Sequence, residues 1–201
     1  MTDTSAEDLE SPEFIGKLKA KDPAAFARLV RAYQDKIYNL ALRLTRNAQE
    51  AEEVLQETLL SVFNKIHTFQ ERSRLSTWIY AITSNGALSR LRKKSSQSVT
   101  FEEDTLLNTE SSWFRNSNVV FEVTDNNDPV ILKELQERLE AAIGELPDGY
   151  REIFIMKEIN KMPVKDIADI VGINPGAVKT RLHRARLLLR AKLSDYWVEE
   201  E

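Results

Sequence analysis

The sequence predicts an all-α fold made of two small helical domains, and three observations support this prediction. Apolar residues recur at spacings of three and four over most of the first ninety-odd residues and again from Pro129 onward. Residues suited to helix capping, often followed by proline, stand where these segments begin. Residues 96–128 show no such period, and so long an irregular loop does not belong inside one compact domain. We therefore predict a domain at 1–95, a flexible acidic linker at 96–128 and a second domain at 129–201.

Three helices are predicted in the first domain. Asp22 and Pro23 form an N-cap and first-turn proline, and an amphipathic segment follows them. Asn47 caps the next helix, in which Glu50 occupies the third helical position, close to a capping-box arrangement. A polar stretch from Gln70 to Ser76 interrupts the apolar period. The third helix then runs from about Thr77 to Lys94.

The second domain is predicted to end in a helix-turn-helix. One helix runs from Pro129 to about Glu145, and another begins near Asp148. A short helix, Val164 to Val171, is stopped by Gly172, the residue type suited to a left-handed C-cap. Asn174 caps the final long helix and Pro175 starts it. A helix, a tight glycine turn and a basic helix in this order are typical of DNA-binding domains.

Charge is segregated along the chain, so the formal net charge of -4 conceals two basic regions. No acidic residue occurs from Gly172 to Ser194, where lysine and arginine are frequent. A second basic cluster closes the first domain and consists of Arg90, Arg92, Lys93 and Lys94. The linker between them is strongly acidic. Two basic patches joined by an acidic tether indicate a nucleic-acid-binding protein.

The final helix has two faces with different chemistry. Its apolar stripe consists of Val178, Leu182, Ala185 and Leu189. The opposite face carries side chains that would reach base edges from the major groove, namely Lys179, Thr180, His183 and Arg184. Gly176 and Ala177 lack bulk and allow the backbone to approach a phosphate. Three arginines further round or further along are suited to phosphates: Arg181, Arg186 and Arg190. The alternative is a solvated basic face on an ordinary helix.

A second candidate surface covers the end of the polar stretch and the third helix. Arg72 and Arg74 lead into a helix that carries Trp78, Tyr80 and Asn85, and the basic cluster follows. Aromatic side chains beside cations stack on unpaired bases while the cations hold the backbone. Aromatic residues at helical spacing are also common in hydrophobic cores, so both interpretations stay open for these residues.

Composition argues against several other classes of protein. Without cysteine there is no disulfide framework, thiolate metal site or cysteine nucleophile. The two histidines, His67 and His183, are far apart, and the six glycines form no phosphate-binding loop. We expect no enzyme activity, no cofactor and no metal. The N-terminus lacks signal-peptide features and the longest apolar runs are short, so we expect a cytoplasmic protein with no membrane insertion.

These residues also carry a family resemblance. The stretches FARLVRAYQDKIYNLALRLTRN, AEEVLQETLLSVF and LSTWIYAITSNGALSRLRKK resemble region 2 of the extracytoplasmic-function (group 4) sigma factors of bacterial RNA polymerase. The stretches LEAAIGELPDGYREIF and IADIVGINPGAVKTRLHRAR are similar to region 4 of the same family. Two motif sets in the right order, covering residues 23–94 and 129–193, make this resemblance specific.

The resemblance implies an alternative sigma factor that binds core RNA polymerase and directs initiation at specific promoters. Region 2 would dock on the clamp coiled coil through Glu53, Gln56, Glu57 and the neighbouring Leu60. It would melt and read the -10 element through Gln70, Arg72, Arg74, Thr77, Trp78, Tyr80, Asn85, Arg90, Arg92 and Lys93. Region 4 would read the -35 element through the final helix and contact the polymerase flap. An anti-sigma factor is expected to clamp the two domains when the protein is inactive.

Two alternatives stay open at the level of sequence. A stand-alone helix-turn-helix regulator would use residues 1–95 for sensing or dimerisation and would bind a symmetric duplex site without polymerase. A helical adaptor would bind only protein. Run-off transcription with core polymerase distinguishes both alternatives from a sigma factor.

Overall fold

The computed structural model describes residues 8–95 and 129–197, and every regular element in these two ranges is helical. The predicted all-α class is therefore confirmed. The predicted linker at 96–128 lies outside the described residues. Within the described ranges no helix combines the length and apolarity needed to cross a bilayer.

The N-terminal module contains four helices: α1 (Pro12–Lys19), α2 (Pro23–Thr45), α3 (Ala48–Lys65) and α4 (Leu75–Ser95). Two of the predicted caps are present. The carboxylate of Asp22 accepts a hydrogen bond from the Ala25 amide at 2.7 Å, and the Asn47 side chain accepts one from the Glu50 amide at 3.0 Å. These bonds satisfy N–H groups that have no partner inside their own helix.

Helix α1 and the 3₁₀ turn before it, Asp8–Glu10, were not predicted from the sequence. Ser11 caps α1 by accepting from the Phe14 amide at 3.2 Å, and Pro12 occupies the first turn. The helix buries Phe14, Ile15 and Leu18, and Leu9 of the 3₁₀ turn joins the same core. The segment is therefore an integral part of the module.

Helices α2, α3 and α4 pack against one another around a close-packed apolar core. The predicted period of α2 is correct, since Leu29, Ile37 and Leu44 are fully buried. Phe63 of α3, in contrast, is 37% exposed. It lies at the edge of the bundle, where its ring meets Phe26 edge-on with centroids 4.7 Å apart.

The C-terminal module contains α5 (Pro129–Gly144), α6 (Asp148–Phe154), five π-helical residues (Ile155–Ile159), α7 (Val164–Val171) and α8 (Pro175–Trp197). Helix α8 packs on α5, α6 and α7. The start of α6 is fixed by Arg151, which is almost fully buried. Its guanidinium donates to the Leu146 carbonyl at 2.9 Å and to the Asp148 carboxylate at 2.5 Å. A buried charge with such partners holds the connection between α5 and α6 in one geometry.

The two modules pack against each other in this structure. One continuous apolar cluster includes Leu40, Leu44 and Leu88 of the N-terminal module together with the core of the C-terminal module. At its edge Arg43 of α2 binds Glu140 of α5, with its Nε 3.1 Å from both carboxylate oxygens and Nη2 2.5 Å from Oε1. Helix α7 lies against α4. This closed arrangement determines which functional residues are covered.

Candidate nucleic-acid interface

The helix-turn-helix is present, and its turn and the cap of its second helix lie at the predicted residues. Gly172 has φ 78°, a left-handed conformation that glycine adopts without the steric cost of a Cβ. The amide of Gly172 donates to the Ala168 carbonyl at 2.9 Å and closes α7. Asn174 then caps α8, since its Oδ1 accepts from the Ala177 amide at 2.8 Å. A Cβ at Gly176 would lie 3.0 Å from that oxygen, so the cap itself favours glycine at this position.

Helix α8 buries the predicted stripe and exposes part of the predicted reading face. Val178, Leu182, Ala185 and Leu189 are all buried. Lys179 and Thr180 are exposed, and the hydroxyl of Thr180 donates to the Gly176 carbonyl at 3.1 Å. His183 and Arg184, one turn later, are half-buried. The first turns of α8 therefore offer a cation and a hydroxyl to a groove.

The three arginines expected to contact phosphates lie in different surroundings. Arg190 is exposed. Arg186 forms an ion pair with Glu158 of the π-helical segment. Arg181 is half-buried against α6, with its Nη1 3.5 Å from the position that a Cβ on Gly149 would take. In this conformation Arg181 and Arg186 brace α8 on its own module.

A titratable carboxyl group lies where α6 meets both Arg181 and the N-terminal module. The pKa of Glu152 is raised to about 7, mainly by burial and then by the nearby Asp148 carboxylate. Arg151, Arg92 and Arg181 oppose this shift. Because Arg92 belongs to α4, the pKa of Glu152 depends on how the two modules pack against each other. No pattern in the sequence predicts this shift, since it depends on residues that only the fold brings together.

The second predicted surface is built on α4 and the loop before it, residues 70–74, which we call the capture loop. Gln70, Arg72 and Arg74 of this loop are exposed. Thr77 and Trp78 at the start of α4 are half-buried, and Asn85 is exposed two turns later. Thr77, Trp78 and Asn85 line one cavity together.

The aromatic residues of α4 have a structural role as well. Trp78 packs on the buried Phe69, with ring centroids 5.3 Å apart. Tyr80 meets Tyr33 edge-on at 6.4 Å, and burial, with the charge of Glu10, raises its pKa. Both rings are only half-buried. Trp78 therefore combines core packing with an exposed edge, whereas Tyr80 belongs mainly to the packing between α2 and α4.

Arg90 of the basic cluster is half-buried and binds α3. Its Nη1 and Nη2 each lie 2.5 Å from a carboxylate oxygen, of Glu53 and Glu57 respectively. These are two of the residues expected to dock on the polymerase. Arg92 and Lys93 of the same cluster are exposed. The structure thus joins residues that the sequence assigned to two different surfaces.

The exposed face of α3 contains the residues expected to bind polymerase. Glu53, Gln56 and Glu57 are exposed at spacings of three and one, and Leu60 is 63% exposed. Leu60 therefore gives this face an apolar contact point beside three hydrogen-bonding side chains. We call these four residues the docking face.

The closed arrangement covers part of the α4 surface. A cavity of about 280 Å³ lies between α4 and α7. On the α4 side Thr77, Trp78 and Asn85 line it, and on the α7 side Asp166 and Asp169 do. Two carboxylates therefore face the residues expected to bind a DNA strand. Nothing in the sequence pointed to this contact.

Comparison with known families assigns both modules to one class of protein. Residues 29–97 match the family described as Sigma-70 region 2, and residues 136–189 match the family described as Sigma-70, region 4. A chain that carries both regions in this order, with a helix-turn-helix in the second, is a bacterial transcription initiation factor of the sigma-70 class.

Its relatives define the family within that class. The chain is 35% identical over 185 residues to the ECF RNA polymerase sigma factor SigW of Bacillus subtilis (strain 168), covering 90% of this chain and 95% of the relative. It is 26% identical over 181 residues to the RNA polymerase sigma-H factor of Pseudomonas aeruginosa, covering 88% and 90%. The protein belongs to the ECF RNA polymerase sigma factors. This membership decides between the alternatives that the sequence left open.

Two solved structures share the fold. CnrH, in complex with the cytosolic domain of CnrY, superposes with a TM-score of 0.58 at 18% identity, covering 91% of this chain and 96% of CnrH. The sigma factor RpoE of Bartonella quintana, in complex with the anti-sigma factor NepR, gives a TM-score of 0.56 at 22% identity, covering 84% and 96%. The two-module helical architecture is therefore that of known sigma factors.

Proposed function

We propose that this chain acts as an alternative sigma factor that binds core RNA polymerase and opens promoters carrying a -10 and a -35 element. One observation carries the proposal, namely that a single chain holds a helix-turn-helix on one helical module and an aromatic surface beside a basic loop on the other. One surface has the helix-turn-helix form suited to duplex DNA. The other combines aromatic residues with a basic loop, which suits an unpaired strand.

The -35 element is read by the first turns of α8. Lys179 and Thr180 contact base edges in the major groove, and Arg184 completes the face when DNA is bound. Gly176 and Ala177 admit a phosphate to the start of the helix, and Arg190 neutralises another. Arg186 reaches a phosphate after leaving Glu158, and Arg181 reaches another after leaving its position against α6.

The -10 element is captured by the capture loop and the adjacent part of α4. The cations Arg72 and Arg74, with Arg92 and Lys93 further along, hold the strand's phosphates. The exposed edge of Trp78 stacks on an unpaired base, while Gln70, Thr77 and Asn85 supply polar contacts. Tyr80 stabilises this part of α4 by packing against Tyr33 of α2.

The docking face of α3 binds the clamp coiled coil of the polymerase, and the C-terminal module binds the flap. Leu60 supplies apolar contact area, and Gln56 with the two carboxylates supplies directional contacts around it. Arg90 acts here as a positioning residue, because it fixes the carboxylates of Glu53 and Glu57 in one orientation. Its assigned role therefore moves from the promoter to the polymerase.

An anti-sigma factor controls this activity by stabilising a closed form. The solved structure of RpoE contains the anti-sigma factor NepR, and that of CnrH contains the cytosolic domain of CnrY. In this chain the packing of α7 on α4 already covers part of the -10 surface. A partner that bridged both modules would prevent polymerase from separating them. The protein acts in the cytoplasm, where polymerase is found, and contributes binding rather than catalysis.

Genomic run-off transcription with purified core polymerase tests the proposed function. The expected result is a set of discrete RNA 5′ ends that share two upstream sequence blocks and require this protein. A stand-alone regulator would instead bind a palindromic site tightly without polymerase. That binding, combined with an absence of discrete transcripts, would overturn the proposal.

A further inference from the structure

The 3₁₀ turn Asp8–Glu10 and helix α1 contact the capture loop at both of its ends. At the end next to α4, Glu10 accepts hydrogen bonds from two consecutive backbone amides. Its Oε2 lies 2.6 Å from the Leu75 nitrogen and its Oε1 lies 3.1 Å from the Ser76 nitrogen. These are the first two residues of α4. Glu10 is therefore a helix cap supplied from 65 residues earlier in the chain.

The Glu10 carboxylate lies in a largely buried position. Its side chain is only 18% exposed, and Leu9 beside it is buried in the core. Arg74, the last residue of the capture loop, has its Nε 3.8 Å from Glu10 Oε1. A carboxylate at a helix N-terminus is also favoured by the helix dipole. The cap therefore fixes both the start of α4 and the direction in which the loop enters it.

At the other end of the loop, Lys19 binds Glu71. The Lys19 ammonium lies 2.6 Å from Glu71 Oε1 and joins the C-terminal turn of α1 to the second residue of the loop. Glu71 has φ 57°, a left-handed conformation that costs energy in a residue with a Cβ. Contacts outside the loop must compensate for this cost, and the Lys19 ion pair is one of them.

We propose that residues 8–19 form a positioning element for promoter melting, in which Glu10 and Lys19 hold the capture loop in the shape that receives an unpaired base. This inference rests on the proposed function, since the loop needs a fixed shape only if it binds a strand. Glu10 and Lys19 act through the loop and need not touch DNA themselves.

The geometry also indicates which step should be affected. The docking face lies on α3, and α8 lies in the other module, so neither depends on the cap of α4. Loss of Glu10 leaves the Leu75 and Ser76 amides without their acceptor and frees the loop at one end. We therefore expect polymerase binding and -35 binding to persist while capture of the -10 strand is weakened.

The test compares Glu10→Ala and Glu10→Gln with Glu13→Ala as the matched control. Glu13 is an exposed acidic residue of α1, three residues after Glu10, and its carboxylate pairs with Lys17 within that helix. Each full-length variant is assembled with core polymerase, and three quantities are measured. These are affinity for core, reactivity of -10 thymines to permanganate on a duplex promoter, and affinity of the holoenzyme for a single-stranded -10 oligonucleotide.

Glu10→Ala should lower strand affinity and permanganate reactivity by about tenfold, the scale associated with losing a helix cap, with core affinity unchanged. Glu10→Gln should be intermediate, because its amide oxygen accepts one of the two hydrogen bonds. Glu13→Ala should match the wild type. Equal losses of core and strand affinity in Glu10→Ala would indicate a general folding defect and overturn the positioning role, as would wild-type strand capture.

A charge exchange at the other end of the loop keeps the test decisive if Glu10→Ala does not fold. Lys19→Glu should weaken strand capture, and the double variant Lys19→Glu with Glu71→Lys should restore it. Failure of the double variant to restore capture would overturn the inference at Lys19. If the wild-type holoenzyme itself makes no discrete RNA, the proposed function fails and not merely the positioning element.

Discussion

The two modules fix their DNA-facing elements in different ways. In the C-terminal module the start of α8 is set by neighbours in sequence, since Gly172 closes α7 and Asn174 caps the next helix. In the N-terminal module the start of α4 is set by Glu10, which lies far away in sequence. Under the proposed function, the helix that enters a groove is built from local signals, whereas the loop that receives an unpaired base is held by contacts from a distant segment.

Individual side chains of α8 and α4 also differ in their surroundings. Lys179 and Thr180 project from α8 into solvent. Arg90, in contrast, is engaged by two carboxylates of the docking face. Each module can therefore be perturbed separately.

The largest effect is expected at the reading face of α8. Lys179→Ala and Arg184→Ala should each weaken holoenzyme binding to a -35 duplex by roughly 1–3 kcal/mol, because each removes a donor to base edges. Lys165→Ala, which removes an exposed lysine from α7, is the matched control and should have little effect. Competition binding with substituted -35 sequences checks the prediction. Retention of full -35 selectivity in both α8 variants would argue that another face of the module enters the groove.

Arg90→Ala should weaken association with core polymerase by about tenfold, since removing it leaves two carboxylates of the docking face without their shared cation. Binding of the assembled holoenzyme to a single-stranded -10 oligonucleotide should change much less. Arg31→Ala, which removes an exposed arginine from α2, serves as the control. The opposite pattern, with intact core binding and lost strand binding, would return Arg90 to the DNA-contact role predicted from sequence.

The raised pKa of Glu152, about 7, predicts a pH dependence of folding stability. The unfolded chain loses this proton at lower pH than the folded protein does, so stability decreases as pH rises from the unfolded pKa to about 7 and is then constant. Replacing the carboxyl group by Glu152→Gln should remove roughly 1 kcal/mol of this decrease. Urea unfolding of both proteins from pH 5 to pH 8 measures it. Parallel stability profiles would show that Glu152 stays charged throughout.

The smallest effect is expected at the ion pair between the modules. Glu140→Ala breaks the contact with Arg43 and should raise binding of the -10 oligonucleotide to the free chain by about threefold, because partly exposed ion pairs contribute little. Glu137→Ala, one turn earlier on α5 and exposed, is the control. An unchanged affinity in Glu140→Ala would mean that the closed arrangement does not limit access to the -10 surface.

Local signals account for the part of the fold that the sequence predicted well. The caps Asp22, Asn47 and Asn174 and the turn at Gly172 were all read correctly, because each acts within a few residues of itself. The buried stripe of α8 was also correct, since the helical period alone determines it.

Contacts between distant residues account for what the sequence did not predict. Helix α4 begins at Leu75 rather than Thr77, because its cap is Glu10, which lies 65 residues earlier in the chain. The basic residues in the sequence do not show that Arg90 binds α3 or that Arg186 binds Glu158. Sequence spacing shows which residues share a helix face, but it does not show which opposite charge the fold brings to them.

The most direct test of the account uses one promoter identified by genomic run-off transcription and changes only the spacing between its two elements. If two separate surfaces are held in register by polymerase, the holoenzyme should lose most of its transcript when the spacer changes by about half a helical turn, because the -35 element then faces away. Each element's own affinity for its module should stay the same. Transcription that is insensitive to the spacing, or a promoter that needs only one element, would contradict the account.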